Sequence, residues 1–334
     1  MSLRGALYGC GMISEFHLRG WNRIPEAKIV ALCNRTLARA EERRVQFAPA
    51  AHTYSDLTTM LAAERLDFID ILTTPERHEE HCRVAMAAGL HVICQKPLSD
   101  NLEYARDLVS ATASYPRQFA VHENHRYRPW FQRVRSQFQA GDVGKVSFVR
   151  IEHLNATEPA ESYKNQSSSG VWLEYGSHLV DMMRSLLGEP QSVHARMHRV
   201  NWNVRGESIV HALFEYPDCT AVIDVGWKRA ALTQSSVLLC GDAGEAWYEG
   251  TLTRGSEARL QISAGANVVS DEPLTPYDEY VESFYLLQRE FTDAMLGLRP
   301  LIQTGEEHLR TLECTFAAYV SAREGKPVLI GKRI

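Results

Sequence analysis

Leu3-Arg4-Gly5-Ala6-Leu7-Tyr8-Gly9-Cys10-Gly11-Met12-Ile13-Ser14 is a short, largely apolar run that ends in two closely spaced glycines and passes into a helical pattern, Ile13 to Arg23. Residues Leu3 to Tyr8 have the length of a buried strand. Gly9 permits a tight turn and Gly11 lets backbone approach a pyrophosphate, while the N-terminus of the next helix favours an anion. The third glycine position of such a loop is held by Ser14, which predicts slightly looser helix packing. Residues Gly9, Cys10, Gly11, Met12 and Ile13 are therefore candidate dinucleotide contacts.

Working outward, strand and helix keep alternating. Ile29–Cys33 is a second apolar run, and Thr36 is an expected N-cap for a helix through Phe47. The second strand ends at Asn34-Arg35 rather than at Asp or Glu. A carboxylate there would bond the ribose 2′-OH and repel a 2′-phosphate. Asn34 can still bond the 2′-OH, and Arg35 can stack on adenine or pair with a 2′-phosphate, so NAD leads with NADP left open. Asp56 opens another helical stretch. Phe68–Leu72 is a third strand, followed by Thr73, Thr74, Pro75 and His78 as further cofactor candidates. A helix from Glu79 to Ala88 stops at Gly89. Next comes His91–Cys94, then Gln95-Lys96-Pro97. Proline ends the strand there and holds the Lys96 ammonium at the sheet's carboxyl edge, where such folds bind ligands. Ser99 and Asn101 cap a helix from Leu102 to Ala113, and Phe119–His122 is the last strand. Helices of this length between strands imply βαβ units and a doubly wound parallel sheet.

After about residue 124 the pattern changes to period two: Val193, Ala195 and Met197; Val210, Ala212 and Phe214; Ala221, Ile223, Val225 and Trp227. Pro217-Asp218 and Gly241-Asp242-Ala243-Gly244 mark hairpin turns. The second half is thus an α+β domain with an open, mostly antiparallel sheet. Domain limits of 1–123 and 124–334 follow. Helices are expected from about Gly170 to Leu187 and around Tyr280, Phe284, Leu287 and Phe291, the latter set as core.

The totals fit a two-domain chain: 334 residues, 45% hydrophobic, 23% charged, formal charge −5. That charge argues against nucleic acid or an anionic membrane as general partner. Seven cysteines without C-x-x-C spacing imply a reducing compartment. No signal segment or membrane-length apolar run is evident, so a cytoplasmic protein is expected.

Glu174 and His178 lie four apart on the expected helix, hence on one face. A carboxylate beside an imidazole orients the ring and raises its basicity, which suits proton transfer from a hydroxyl. Gly176 between them suggests that something large packs against the backbone, and Asp181 is a possible supporting partner. No third ligand completes a metal site, so no metal is expected. Arg126, Asn155, Tyr163 and Trp172 are candidate substrate contacts, beside Lys96, Glu174 and His178.

Taken together, Gly9-Cys10-Gly11, Tyr54-Ser55-Asp56-Leu57, Asp70 to Pro75 with His78, Ala88 to Val92, Lys96-Pro97, Glu123-Asn124 with Arg126, and the Gly170–Asp181 block resemble the glucose–fructose oxidoreductase / inositol dehydrogenase / MocA family. The resemblance implies an N-terminal Rossmann domain and a C-terminal open sheet. It also implies that Lys96 orients and polarises the reacting hydroxyl, His178 serves as acid/base, and Glu174 is its acidic neighbour. Two positions depart from the family: Gln95 stands where Glu usually precedes Lys-Pro, and Glu174 replaces Asp. Gln95 counts among the cofactor candidates. The pattern Glu123-Asn-x-Arg126-x-x-Pro-Trp130 is closest to members acting on free pentoses such as apiose. The expectation is an NAD(P)-dependent dehydrogenase of a sugar, polyol or sugar acid, assembled as a homo-oligomer, dimer or tetramer. An NAD-dependent glycoside-cleaving enzyme and a non-catalytic NAD(P)-binding regulator are the alternatives.

Overall fold

The computed structural model describes residues 2–156, 169–201, 203–228, 233–252 and 257–331. The chain divides into two units. Met1–Asn124 joins Val281–Leu309 in the first, and His125–Tyr280 joins Arg310–Ile334 in the second.

In the first unit, strands β1 (Leu3–Tyr8), β2 (Ala27–Cys33), β3 (His52–Tyr54), β4 (Phe68–Ile71), β5 (His91–Gln95) and β6 (Phe119–His122) form a parallel sheet in the order β3-β2-β1-β4-β5-β6. Helices α1 (Ser14–Trp21), α2 (Leu37–Phe47), α3 (Leu57–Ala63), α4 (Pro75–Ala87) and α5 (Leu102–Thr112) connect them. This is the Rossmann order, and its direction reverses between β1 and β4. Because the strands are parallel, the residues that follow each of them share one edge. The helix expected from Glu79 begins at Pro75 instead, since proline at the first helical position lacks only an N–H that would be unpaired anyway. Asp56 and Asn101 do cap α3 and α5, accepting from Thr59 N–H and from Glu103 and Tyr104 N–H. Thr36 occupies the N-cap of α2 but makes no side-chain cap bond.

Residues 281–309 return to this unit, where a continuous second domain from 124 was expected. The reason lies in α8 (Pro276–Met295): Phe284, Leu287 and Phe291 are fully buried, Phe284 against Phe16 and His17, Phe291 against Phe68. Each such burial is worth about 1.5–3 kcal/mol. Helical periodicity identifies these residues as core without saying which core they join.

In the second unit, α6 (Pro129–Ala140) precedes β7 (Val146–Ala156). A π-helical turn, Trp172–Gly176, runs into α7 (Ser177–Leu187). Strands β8 (Ser192–His198), β9 (Ile209–Glu215), β10 (Thr220–Lys228), β11 (Gln234–Gly241), β12 (Gly244–Gly250), β13 (Ala258–Ala264), β14 (Asn267–Leu274) and β15 (Val328–Leu329) complete it, with α9 (Gly305–Glu324) supplying its later turns. Among the described residues the sheet has the order β14-β13-β12-β11-β7-β10-β9-β8-β15, antiparallel except for β7 with β10. Its period-two apolar residues Val149, Ile151, Val210, Ala212, Ile223 and Val225 face Leu179, Val180, Met182, Met183 and Leu186 in one core. Among the described residues no helix is long and apolar enough to cross a membrane. All seven cysteines are free.

Candidate active site

In the first unit, Gly9 has φ +108°, and a Cβ there would lie 2.6 Å from the Leu72 carbonyl oxygen, so β1 can turn beside β4 only with glycine. At Gly11 the space around the Cβ position is open to 4 Å. A tight first glycine and an unobstructed second one, ahead of α1, fit a bound pyrophosphate. Ser14 does not loosen the packing as expected. It is fully buried, its hydroxyl donates to Gly11 O (2.5 Å), and it accepts from Arg43 Nε (3.2 Å). Cys10 is buried, and burial pushes its thiol up to about 12. Met12 is exposed and Ile13 half-buried.

Asn34 has a structural job that its sequence position did not reveal. Its Oδ1 accepts the Cys10 backbone N–H (3.0 Å) and its Nδ2 donates to Thr36 O (2.9 Å), tying the glycine turn to the end of β2. The exposed Arg35 is thus the side chain beside it that projects into solvent.

At the end of β4, Thr74 is exposed and Pro75 half-buried, while Thr73 Oγ1 lies 2.9 Å from His81 Nδ1. Burial pushes His81 down to about 4. His78, expected as a cofactor contact, is fully buried and serves as a clip. Its Nδ1 lies 2.9 Å from Pro97 O and its Nε2 2.9 Å from Thr73 O, so the ring sits between the turns after β4 and β5 and, when neutral, donates to one of the two carbonyls.

Lys96 directly follows β5, half-buried. Side chains hold its N–H and the backbone that follows it. Gln95 Oε1 accepts the Lys96 N–H (2.7 Å), His78 bonds Pro97 O, and the Leu98 N–H donates to His308 Nε2 (3.3 Å). Gln95 is accordingly a holder of the lysine's main chain.

In the second unit, the segment 170–187 is helical as expected, but its first turn is π rather than α. Half-buried Glu207 anchors its start: Oε1 accepts from Trp172 N–H (3.0 Å) and Tyr319 O–H (2.8 Å), and its carbonyl accepts Val171 N–H (3.0 Å). Burial raises the Glu207 carboxyl above its usual value. The large group expected against Gly176 is the Trp172 indole, whose Cε3 would lie 2.4 Å from a Cβ there. Trp172 is therefore a core residue rather than a substrate contact: it is fully buried and its indole N–H donates to Thr315 O (2.9 Å). π turns widen a helix locally and recur at functional sites. Half-buried Glu174 lies inside this one, and His178 stands one turn on in α7.

His178 is stacked on His125, centroids 3.9 Å apart and planes 3° from parallel, with Tyr175 edge-on at 5.5 Å. Tyr175 stacks in turn on His153 (3.9 Å), whose Nδ1 is 2.6 Å from Ser235 Oγ. Sequence reasoning missed His125, which occupies the unspecified position of Glu123-Asn-x-Arg126. Arg126 itself is 4% exposed and bidentate to Asp181 (2.6 and 2.5 Å), which also accepts from Thr311 Oγ1 (3.2 Å). Asp181 therefore serves Arg126 rather than His178, and Arg126 locks the His125 segment to α7 instead of reaching for substrate. Asn155 lies on β7 with Oδ1 accepting from Thr233 Oγ1 (2.7 Å). Tyr163 lies outside the described residues.

Residues 3–123 match the model of the GFO/IDH/MocA oxidoreductase family's NAD-binding Rossmann fold, and 131–247 match a GFO/IDH/MocA C-terminal domain. The chain is 31% identical to D-apiose dehydrogenase of Paraburkholderia graminis, over 97% of this chain and 89% of the relative. It is 27% identical to D-apiose dehydrogenase of Rhizobium rhizogenes, over 98% of each. An Agrobacterium radiobacter oxidoreductase solved in complex with NAD+, L-tartaric acid and magnesium superposes with a TM-score of 0.88 at 26% identity, covering 99% of both chains.

Proposed function

The chain belongs to the GFO/IDH/MocA oxidoreductase family, and from that premise we propose that it oxidises a hydroxyl of a free pentose, with D-apiose the leading candidate. It is an NAD-dependent sugar dehydrogenase in class. The full-length similarity to two D-apiose dehydrogenases carries the substrate assignment.

NAD supplies the hydride acceptor. The glycine turn and the N-terminus of α1 are suited to its pyrophosphate. In this reading the Lys96 ammonium donates a hydrogen bond to the substrate hydroxyl oxygen and stabilises the alkoxide that develops there. The His178 imidazole accepts the hydroxyl proton, and Glu174 on the preceding turn favours the imidazolium so formed. Lys96 suits the stabilising role because its own N–H is held by Gln95 and the Leu98 N–H two residues on is held by His308, so its side chain starts from a fixed Cα.

We also read the protein as a homo-oligomer. The sheet face opposite the core carries half-buried Phe148, Leu213, Val222 and Leu238 beside the Arg150–Asp224 ion pair and the His211–Asp224 contact. Light scattering on the purified chain tests this, and a monomer at all concentrations would refute it.

The functional test is NADH formation with D-apiose against a panel of pentoses, inositols, aldonates and glycosides. Apiose oxidation with stoichiometric NADH is expected. Glycoside cleavage without net NADH, or NAD binding with no turnover of any compound, would replace this reading.

A further inference from the structure

The backbone N–H of Lys96 dictates the direction of a buried hydrogen-bond chain. A main-chain N–H can only donate, so the Gln95 atom 2.7 Å from it is the amide oxygen. The other end of that amide is then an NH2, which also can only donate, and it lies 3.1 Å from His17 Nε2. His17 Nε2 must therefore be the unprotonated, accepting nitrogen. The ring's proton is on Nδ1, 2.8 Å from Asp70 Oδ2, which also takes the Trp21 indole N–H at 2.7 Å. His17 and Asp70 are completely buried. No step has freedom to reverse, because reversing one bond would set two donors against each other.

We propose that Gln95 and His17 are positioning residues for Lys96. They form a one-way chain, Lys96 N–H to Gln95 to His17 to Asp70, in which His17 is neutral and carries its proton on Nδ1. This rests on the catalytic reading of Lys96 given above. Gln95 makes the chain silent to protons. A glutamate at 95 would still accept from Lys96 but would present a second acceptor to His17 Nε2, so a proton would have to enter between them.

Of the groups facing His17, the Asp70 carboxylate alone would favour a cation, and the Nδ1–H already meets it. Asp70 on β4 is the charged one. His122 on β6 lies tilted against the His17 ring, centroids 4.1 Å apart, and both His122 ring nitrogens are buried without a hydrogen bond. From α8 come Phe284 at 5.1 Å and Gln288, whose Nε2 donates to the His17 carbonyl (3.1 Å). A second proton on His17 would have to sit on Nε2, where it would face the Gln95 amide N–H.

The test is nitrogen NMR of the histidine-labelled full chain, combined with amide exchange at Lys96 and with kcat/KM profiles. His17 is identified by its loss in His17→Gln, or by its displacement in Gln95→Leu should the first variant fail to fold. Wild type at neutral pH is expected to show a neutral His17 with its proton on Nδ1 and a lone pair on Nε2. Gln95→Leu should speed Lys96 amide exchange by about ten-fold or more, because the acceptor is gone. It should also lower kcat more than it raises KM. Gln95→Glu should restore slow exchange, protonate His17 on both nitrogens, and add an ionisation to the kcat/KM profile that wild type lacks. An Nε2-protonated His17 in wild type at neutral pH would overturn the proposal. So would unchanged Lys96 exchange in Gln95→Leu, or an unaltered His17 in Gln95→Glu. If these spectra appear as expected in a protein that oxidises no sugar, the chain stands and the dehydrogenase reading falls.

Discussion

The imidazoles of His125 and His178 lie face to face at 3.9 Å, their planes 3° apart. Two stacked imidazoles resist holding two protons at once, since the second charge would sit directly over the first. Arg128, fully buried, points Nη2 toward His125 Nε2 at a long 3.5 Å, which favours a lone pair on that nitrogen and a neutral His125. A proton arriving at His178 thus meets a neutral ring face.

His125 should therefore act as the platform that sets the plane of the His178 imidazole. His125→Ala is expected to lower kcat by about ten-fold or more, since small misplacements of reacting groups are costly. His125→Phe, which keeps a flat ring, should retain most of the rate. Steady-state kinetics of the two variants decides it, and equal losses would show that stacking is not what matters.

Gly176→Ala drives a Cβ to 2.4 Å from the Trp172 ring. Neither the fully buried indole, held by Thr315, nor the helix backbone has room to retreat. A loss of about 1–3 kcal/mol in unfolding free energy is expected, the usual range for overpacking. Urea denaturation measures it. An unchanged midpoint would mean the π turn gives way without cost.

Stability should fall on mild acidification. Burial holds His81 and His91 down at about 4, and it also lowers His78 and, far more, His122. Unfolded histidine titrates near 6.5. Below that value the unfolded chain takes up protons that the folded chain refuses, so stability is full above about pH 6.5 and declines toward pH 4. Urea midpoints at successive pH values check this, and a flat profile across that window would contradict it.

Asn34→Asp tests cofactor choice. The aspartate still accepts the Cys10 N–H but loses the donor to Thr36 O and adds a negative charge at the end of β2, the strand end at which such folds read the adenosine ribose. NADP-linked kcat/KM should drop by about ten-fold relative to NAD-linked, a difference of about 1.4 kcal/mol. No change in the ratio would place the adenosine ribose away from Asn34.

The parts of the molecule that were legible in sequence are those governed by local pattern. The run Leu3–Tyr8 with its two glycines, the apolar strands β4 and β5, and the alternation in β9 and β10 all declare themselves within a few residues. β3 did not, because three residues cannot show a period. The return of 281–309 was invisible because an apolar helix face does not name its partner. The site shows the same division. Lys96, Glu174 and His178 are chemistry-bearing residues in recognisable motifs. His125, His17 and Asp70 matter through stacking and hydrogen bonds between distant segments. Arg126, His78 and Trp172 looked like ligand contacts because polarity and aromaticity at a turn suit either recognition or burial. Only their partners, Asp181, two carbonyls and the second-unit core, tell which.

The central claim is that this chain transfers hydride from a sugar to NAD with Lys96 and His178 in the roles proposed. The most direct measurement is the single-turnover rate of NADH formation from D-apiose in wild type, Lys96→Ala and His178→Ala, each confirmed folded and NAD-binding. The account predicts NADH formation by wild type and a loss of about 100-fold or more in each variant, the scale of removing a charge stabiliser or a general base. Wild-type rates in either variant, or no NADH from any sugar with folded wild type, would contradict it.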